Sequence, residues 1–504
     1  MKIKILLLLV CSFCCIFKTY SQTGLRGFRL HGQLNDGKTD SISADFYESY
    51  SFPNMITSDI KVGQKIENRT FDINIEDLHG TRYLRLLLYS KGTMTRSFDF
   101  AFYSPLFLIE PGDKISMRFD KNTAIFSGKN SAKYNCMIEI DNVEQKLKAT
   151  HAERIDGYLN VLNYDLDYWK KFVKESLLIL NRYKSKISPE IFNIRKLDIQ
   201  SVGPSALIRN IYVWQREFDS KEFIHANSNY FNFKPESDLV ADRSSSYSQF
   251  LIMKERVLAR LNETDSTRQN KVLYYDQIFN SIMQNYSGAI REKLLAMWTD
   301  PENSSFDSDL YRDKALRVIK LKEYRDYILK SNRLFKKGAE VFNFNLEDTK
   351  GKMVSLSDFR NRIVVLDFYF TGCSGCAFYA KAIKPVIREF ENNPNVVFIS
   401  INVDNTKEMF LKAVESEVYS EKSAINLFTN GLGRNHPLIT HYGFQGFPQF
   451  MLVDKDGKIL YGNPPLPGMN SKTGKPDKES PSTKKIIEII EEALKPETSS
   501  SNSK

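Results

Sequence analysis

The chain has 504 residues, of which 42% are hydrophobic and 26% charged, with a formal charge of +10 and a mean hydropathy of −0.38. This composition suits a soluble, core-forming chain of roughly three domains, and it excludes both wholesale disorder and a polytopic membrane protein. The positive balance comes without a lysine–arginine block; it reads as a solvated basic surface and argues against nucleic acid as a partner.

Residues 1–21 carry the pattern of a secretory signal. Lys2 and Lys4 form a basic start, Ile5 to Phe17 an apolar run of 13 residues, and Thr19-Tyr20-Ser21 a small-residue exit before Gln22. The run is too short to span a bilayer comfortably, and no later run approaches the ~18 residues a span needs. An exported chain, with a charge of +7 once Lys2, Lys4 and Lys18 are removed, is expected. A lipid anchor on an early cysteine competes with this reading. It wants a small residue before the cysteine, whereas Val10 and Phe13 precede Cys11 and Cys14. Removal of the segment takes Cys11, Cys14 and Cys15 with it and leaves Cys136, Cys373 and Cys376. One tight pair and one single are too few for a disulfide-stapled scaffold.

From residue 22 to 130 the hydrophobic period is two. Phe28, Leu30 and Leu34 alternate with polar residues, as do Phe71, Ile73 and Ile75, and then Phe98, Phe100 and Phe102. Leu106 to Ile109 runs into a Pro111-Gly112-Asp113 turn, after which Ile115, Met117 and Phe119 resume the alternation. The pattern predicts an antiparallel β domain, a sandwich. From 131 to 333 the period is helical. Trp169, Phe172, Val173, Leu177 and Leu180 mark one face, and Leu207, Ile211, Trp214 and Phe218 mark another, with Gly203-Pro204 as the opening of that helix. These aromatic stripes read as core of a helical domain or spacer. Cys136, at its start, reads as a buried or idle thiol.

From 334 to 495 strands and helices alternate, which argues for an α/β sheet with covering helices. Phe342 to Leu346 is a predicted strand, Asp348 to Lys352 its hairpin turn, and Ser355 to Phe359 the start of a short helix. Ile363 to Phe370 is a continuous apolar strand of the kind buried on both faces. Thr371-Gly372 and Cys373-Ser374-Gly375-Cys376 follow, then a helix to about Glu391 and a strand from Asn395 to Val403. A strand at Ala424 to Phe428, a short helix at Pro437 to Tyr442, a hairpin across Asp454 to Gly457 and a closing helix from Ser482 to Leu494 complete the region. Residues 496–504 read as a frayed polar tail.

The chemistry sits where strand meets helix. A thiol at a helix N-terminus meets unpaired N–H groups and the positive end of the macrodipole, both of which favour thiolate. That makes Cys373 the expected nucleophile. Cys376, one turn deeper, is placed to attack a mixed disulfide and release product. Two other readings compete. Zinc could use the pair with His436 and His441, although 59 residues separate Cys376 from His436 where zinc motifs use a short spacer. A permanent structural disulfide would close a trivial loop and add little stability.

With these residues in view, the segment from about Ala339 to Leu494 resembles the thioredoxin fold, and in particular the TlpA/ResA-type extracytoplasmic thiol-disulfide oxidoreductases. An apolar strand leads into CxxC, a helix begins at the motif, and an inserted strand-helix region precedes the proline-bearing stretch Tyr442 to Asp454. The resemblance implies that Pro448 follows a cis bond and faces the cysteines. It also implies that the backbone at Phe447 accepts a substrate strand, and that Asp367, six residues before Cys373, is a buried proton acceptor for Cys376. An exposed strand-end carboxylate is the plainer alternative for Asp367. The implied activity is disulfide exchange with protein thiol or disulfide substrates, in the reductive direction, with no metal or organic cofactor and a membrane electron donor to recharge the pair. Cytochrome c maturation is one task it suggests. Departures are Gly372 where thioredoxins carry Trp, and Ser374-Gly375 where they carry Gly-Pro. Peroxiredoxins are near siblings, but Phe370 stands where that family needs Thr. The β and helical regions are similar to the N-terminal extension of many envelope proteins of Gram-negative bacteria, with Ile109 to Asp113 as the clue, which implies a periplasmic or cell-envelope address. The rival function is a non-catalytic envelope binding protein with the C-terminal domain as scaffold.

Overall fold

A computed structural model describes residues 27–495 apart from 49–59, 91–92, 101–103, 106, 121–122, 151–155, 215–216, 264–270, 300–308, 422, 445 and 471–472. The expected signal segment 1–21, the expected tail 496–504, Phe102 and Leu106 lie outside the described residues.

The period-two alternation folds as two facing sheets. In one, the spatial order is Thr123–Lys129, Lys114–Asp120, Phe28–Leu34, Thr70–Ile75. In the other it is Ile60–Lys65, Ser41–Glu48, Arg82–Ser90, Thr93–Ser97, with Phe107–Ile109 also paired to Arg82–Ser90. The inner faces meet through rings, Phe28 on Phe46 at 5.5 Å and Phe107 on Phe126 at 5.3 Å between centroids. One pairing corrects the antiparallel expectation: Phe28–Leu34 runs parallel to Lys114–Asp120, with Leu30 opposite Ile115 and Gly32 opposite Met117. Parallel neighbours need a long crossover, and here the whole second sheet lies between them in the chain.

The Pro111-Gly112 turn has a structural purpose. Asp113 is fully buried and accepts hydrogen bonds from Tyr134 Oη at 2.8 Å, Asn130 Nδ2 at 2.8 Å and Lys133 Nζ at 2.9 Å. Glu110 takes Lys133 Nζ at 2.7 Å and Ser188 Oγ at 2.7 Å. The turn therefore ties the last strands to the helix Ala132–Thr150. Helices from there to Lys322–Phe335 share one apolar core with the sheets.

The helix expected to open at Gly203-Pro204 instead spans Pro189–Trp214, with both residues inside it and buried. Pro204 has no N–H to give the carbonyl one turn back, a defect that ordinarily costs ~3 kcal/mol, yet the helix runs through it with the surrounding stretch buried. Gly203 is required by close packing, since a Cβ there would lie 1.9 Å from Tyr230 Oη and 2.8 Å from Trp169 Cβ.

The C-terminal part is a mixed sheet in the order Met353–Ser355, Asn345–Asp348, Ile425–Phe428, Val396–Asn402, Ile363–Tyr369, Gln449–Val453, Ile459–Tyr461. The strand expected at Phe342 to Leu346 forms slightly later, at Asn345–Asp348, where a partner for the hairpin is available. Ile363–Tyr369 lies at the centre, buried along its whole length. Val364, Leu366 and Phe368 face one core with Ile399, Ile401 and Met451. Ile363 and Val365 face the other, against Tyr379, Ile383 and Ile486 of the covering helices. The helix after the cysteines is two segments, Ser374–Ala382 and Lys384–Phe390, because Pro385 at the join cannot continue the ladder. Phe335, ending the last helix of the middle region, seats against Tyr442 at 5.5 Å and Phe444 at 6.1 Å. Among the described residues no helix is long and apolar enough to cross a membrane.

Candidate active site

The central strand ends at Tyr369, and Gly372, at φ +89°, turns the chain into the helix Ser374–Ala382. Cys373 is the N-cap residue, and its Sγ accepts the Cys376 N–H at 3.0 Å. The two sulfurs form a disulfide, with their Cα atoms 5.2 Å apart. Both cysteines are buried, Cys373 at 6% exposure being the more accessible and Cys376 at 0% wholly enclosed. An N-cap sulfur holding a helix N–H is the geometry that stabilises a thiolate.

The Phe447–Pro448 bond is cis, and the Phe447 carbonyl oxygen lies 3.5 Å from Cys373 Sγ. Phe447 packs edge-on against Phe370 at 5.9 Å. Gly375 faces the same loop: a Cβ there would meet Pro448 Cδ at 3.2 Å and Phe447 O at 3.5 Å. The residues quoted for the resemblance thus converge on one spot. Sequence reading missed Arg434, whose guanidinium sits 5.3 Å from the Phe447 ring centre and 5.8 Å from that of Phe370; its short turn, Gly433–Asn435, carries no motif.

Asp367 is buried on the central strand, beside Tyr379 and Ala380 of the helix that starts at the cysteines. The exposed-carboxylate alternative is thereby overturned. Burial lifts its pKa from 3.8 to about 7, opposed by the Ser400 hydroxyl, which donates to Oδ1 at 2.7 Å from the neighbouring strand. Asp367 shares a small cavity with Tyr379, Tyr419, Ser420 and Glu421. The Tyr379 hydroxyl is buried with no hydrogen-bond partner among the described residues.

The turn before Cys373 is held from outside the motif. Asp404 accepts the Thr371 N–H at 3.0 Å and the Thr371 hydroxyl at 2.5 Å, and Tyr419 Oη accepts the Gly372 N–H at 2.9 Å. The zinc reading finds no support in the donor geometry. The thiols are bonded to each other, His436 Nδ1 caps its helix by accepting Leu438 N–H at 3.2 Å, and the His441 ring packs on Phe342 at 5.3 Å. Cys136 is buried, and burial pushes its thiol up to about 12, an inert environment.

A strand-turn-helix bearing CxxC, faced by a cis-proline loop on a mixed sheet, defines a thioredoxin-like domain. Comparison with known proteins agrees. Residues 338–461 match the family model described as AhpC/TSA family. The thiol-disulfide oxidoreductase ResA of Bacillus thuringiensis subsp. konkukian is 29% identical over 140 residues, covering 27% of this chain and 74% of the relative. ResA of Bacillus subtilis is 26% identical over 131 residues, covering 24% and 64%. The crystal structure of the thioredoxin domain of a thiol-disulfide oxidoreductase from Bacteroides vulgatus is 28% identical, covers 26% of this chain and 89% of that one, and superposes with a TM-score of 0.23. The C-terminal region is thus a thioredoxin-like domain, similar to the ResA thiol-disulfide oxidoreductases.

Proposed function

We propose that the protein is an exported thiol-disulfide oxidoreductase acting on protein substrates in the periplasm or cell envelope. Its parts are a signal peptide (1–21), a β domain (22–130), a helical domain (131–333), a thioredoxin-like domain (334–495) and a tail. The observation that carries the activity is the placement of Cys373 Sγ, under the Cys376 N–H at 3.0 Å and beside the Phe447 carbonyl at 3.5 Å. Sulfur and docking backbone are adjacent.

In the reductive direction the Cys373 thiolate attacks one sulfur of a substrate disulfide. The substrate S–S bond breaks, a Cys373–substrate disulfide forms, and the first substrate sulfur leaves as thiolate and takes a proton from water. Cys376 then gives its proton to Asp367, whose raised pKa suits it to accept near neutrality. The Cys376 sulfur attacks Cys373 Sγ, and the second substrate thiolate leaves. Two electrons pass to the substrate, and the pair ends as the disulfide. Phe447 and Pro448 hold the substrate strand by β-type hydrogen bonds. A membrane dithiol donor returns the electrons; cytochrome c maturation is one pathway such a reductase serves.

The competing function, a binding protein with an inert scaffold disulfide, gives a different equilibrium. Titration against glutathione and dithiothreitol buffers should place the pair near thioredoxin's roughly −270 mV or above. A pair still oxidised well below about −300 mV would favour the scaffold.

A further inference from the structure

Tyr419 belongs to no motif, yet it touches both halves of the site. It follows the helix Lys407–Ser416, which ends as Glu417 adopts a left-handed conformation at φ 52° and swings the chain back toward the sheet. That turn brings Tyr419 into the cluster formed by Tyr369, Ala413 and the two cysteines. Its ring stacks on Tyr369, with centroids 6.1 Å apart and planes 10° from parallel. Its hydroxyl accepts the Gly372 N–H at 2.9 Å, and its other edge lines the cavity holding Asp367.

Gly372 needs such a clamp. It has no side chain to pack, it sits at φ +89° with nothing within 4 Å of where a Cβ would be, and it immediately precedes the nucleophile. A glycine in such a turn is free in the absence of external bonds. Thr371 is fixed by Asp404 and the Thr371–Gly372 peptide by Tyr419, while the Cys373 N–H that follows bonds the Phe370 carbonyl at 3.3 Å.

We propose that Tyr419 is a positioning residue that tunes the redox pair: it holds the Gly372 amide in the disulfide form seen here, and once the S–S bond opens and no longer fixes the sulfur, this hydrogen bond keeps Cys373 Sγ aligned with the helix N-terminus and so stabilises the reduced, thiolate form. The inference rests on the redox function proposed above. One hydrogen bond of this kind is worth a factor of roughly 3–10 in an equilibrium.

The test compares Tyr419→Phe and Tyr419→Leu in the full chain. The Phe variant keeps the stacked ring and loses only the hydroxyl. Its Cys373 thiolate absorbance should titrate about half to one pH unit higher than wild type. Its equilibrium with glutathione should shift roughly 3- to 10-fold toward the disulfide, about 15–30 mV at the two-electron conversion. The Leu variant should shift at least as far. A Phe variant with wild-type titration and equilibrium would overturn the proposal, including when its melting temperature falls, because that is a purely structural role. A wild-type protein that does not equilibrate with glutathione at all would instead remove the redox function on which the proposal stands.

Discussion

Asp367→Asn isolates the cost of burying the carboxylate. The folded protein holds the Asp367 proton up to about pH 7, whereas the unfolded chain releases it near the ordinary 3.8. Between those values the native state binds more protons than the unfolded state, so this group makes stability fall as pH rises, with the full penalty present above pH 7. At about 1.4 kcal/mol per pH unit of displacement, the penalty is about 4 kcal/mol. Asparagine has the same shape and no charge, and its carbonyl can still accept from Ser400. Any unmade amide hydrogen bond in the new side chain costs about 1–3 kcal/mol, but equally at every pH. The pH-dependent part is therefore the clean quantity. Relative to wild type, the variant should gain about 4 kcal/mol on going from pH 4 to pH 8. Hydrogen exchange of the Ile363–Tyr369 amides, measured on both proteins at each pH so that intrinsic rates cancel, reads this directly. A difference constant across that range, or growing toward acid, would refute the assignment of a raised pKa to burial.

Three further outcomes follow from the packing. Gly375→Val pushes a side chain against Pro448 and Phe447 O; it should raise KM for a protein disulfide roughly 5- to 30-fold while leaving the rate with dithiothreitol within about twofold, an effect of the few kcal/mol typical of overpacking. Equal loss with the protein disulfide and with dithiothreitol would remove the docking role of that loop. Gly203→Ala should destabilise the helical region by about 1–3 kcal/mol, read by urea unfolding through the tryptophans, all three of which (Trp169, Trp214 and Trp298) lie there. A maleimide should modify Cys373 of the reduced protein and leave buried Cys136 untouched until the chain unfolds; labelling of native Cys136 would contradict its burial.

The candidate site was legible because its sequence signal is local. CxxC after an apolar run puts a sulfur at a helix start, whereas the burial of Asp367 was expected only through the resemblance. Strand direction was not legible. Alternation marks which face is buried but says nothing of whether Phe28–Leu34 meets its partner parallel or antiparallel, and that partner lies beyond a whole sheet. Gly203-Pro204 misled because both residues usually punctuate helices; the contacts that override them come from Trp169 and Tyr230. Asp404 acts from the loop after the strand Val396–Asn402 and Tyr419 from the loop after Glu417, positions that leave no periodic signal.

The central claim is that Cys373 exchanges disulfides with other proteins and Cys376 releases them. Replacing Cys376 with Ser in the full chain, expressing it in a Gram-negative envelope and resolving its adducts on non-reducing gels tests this most directly. The account predicts discrete, reductant-sensitive mixed disulfides that disappear when Cys373 is also replaced. No adducts, together with a Cys373 that stays unreactive toward glutathione disulfide in the purified variant, would contradict it.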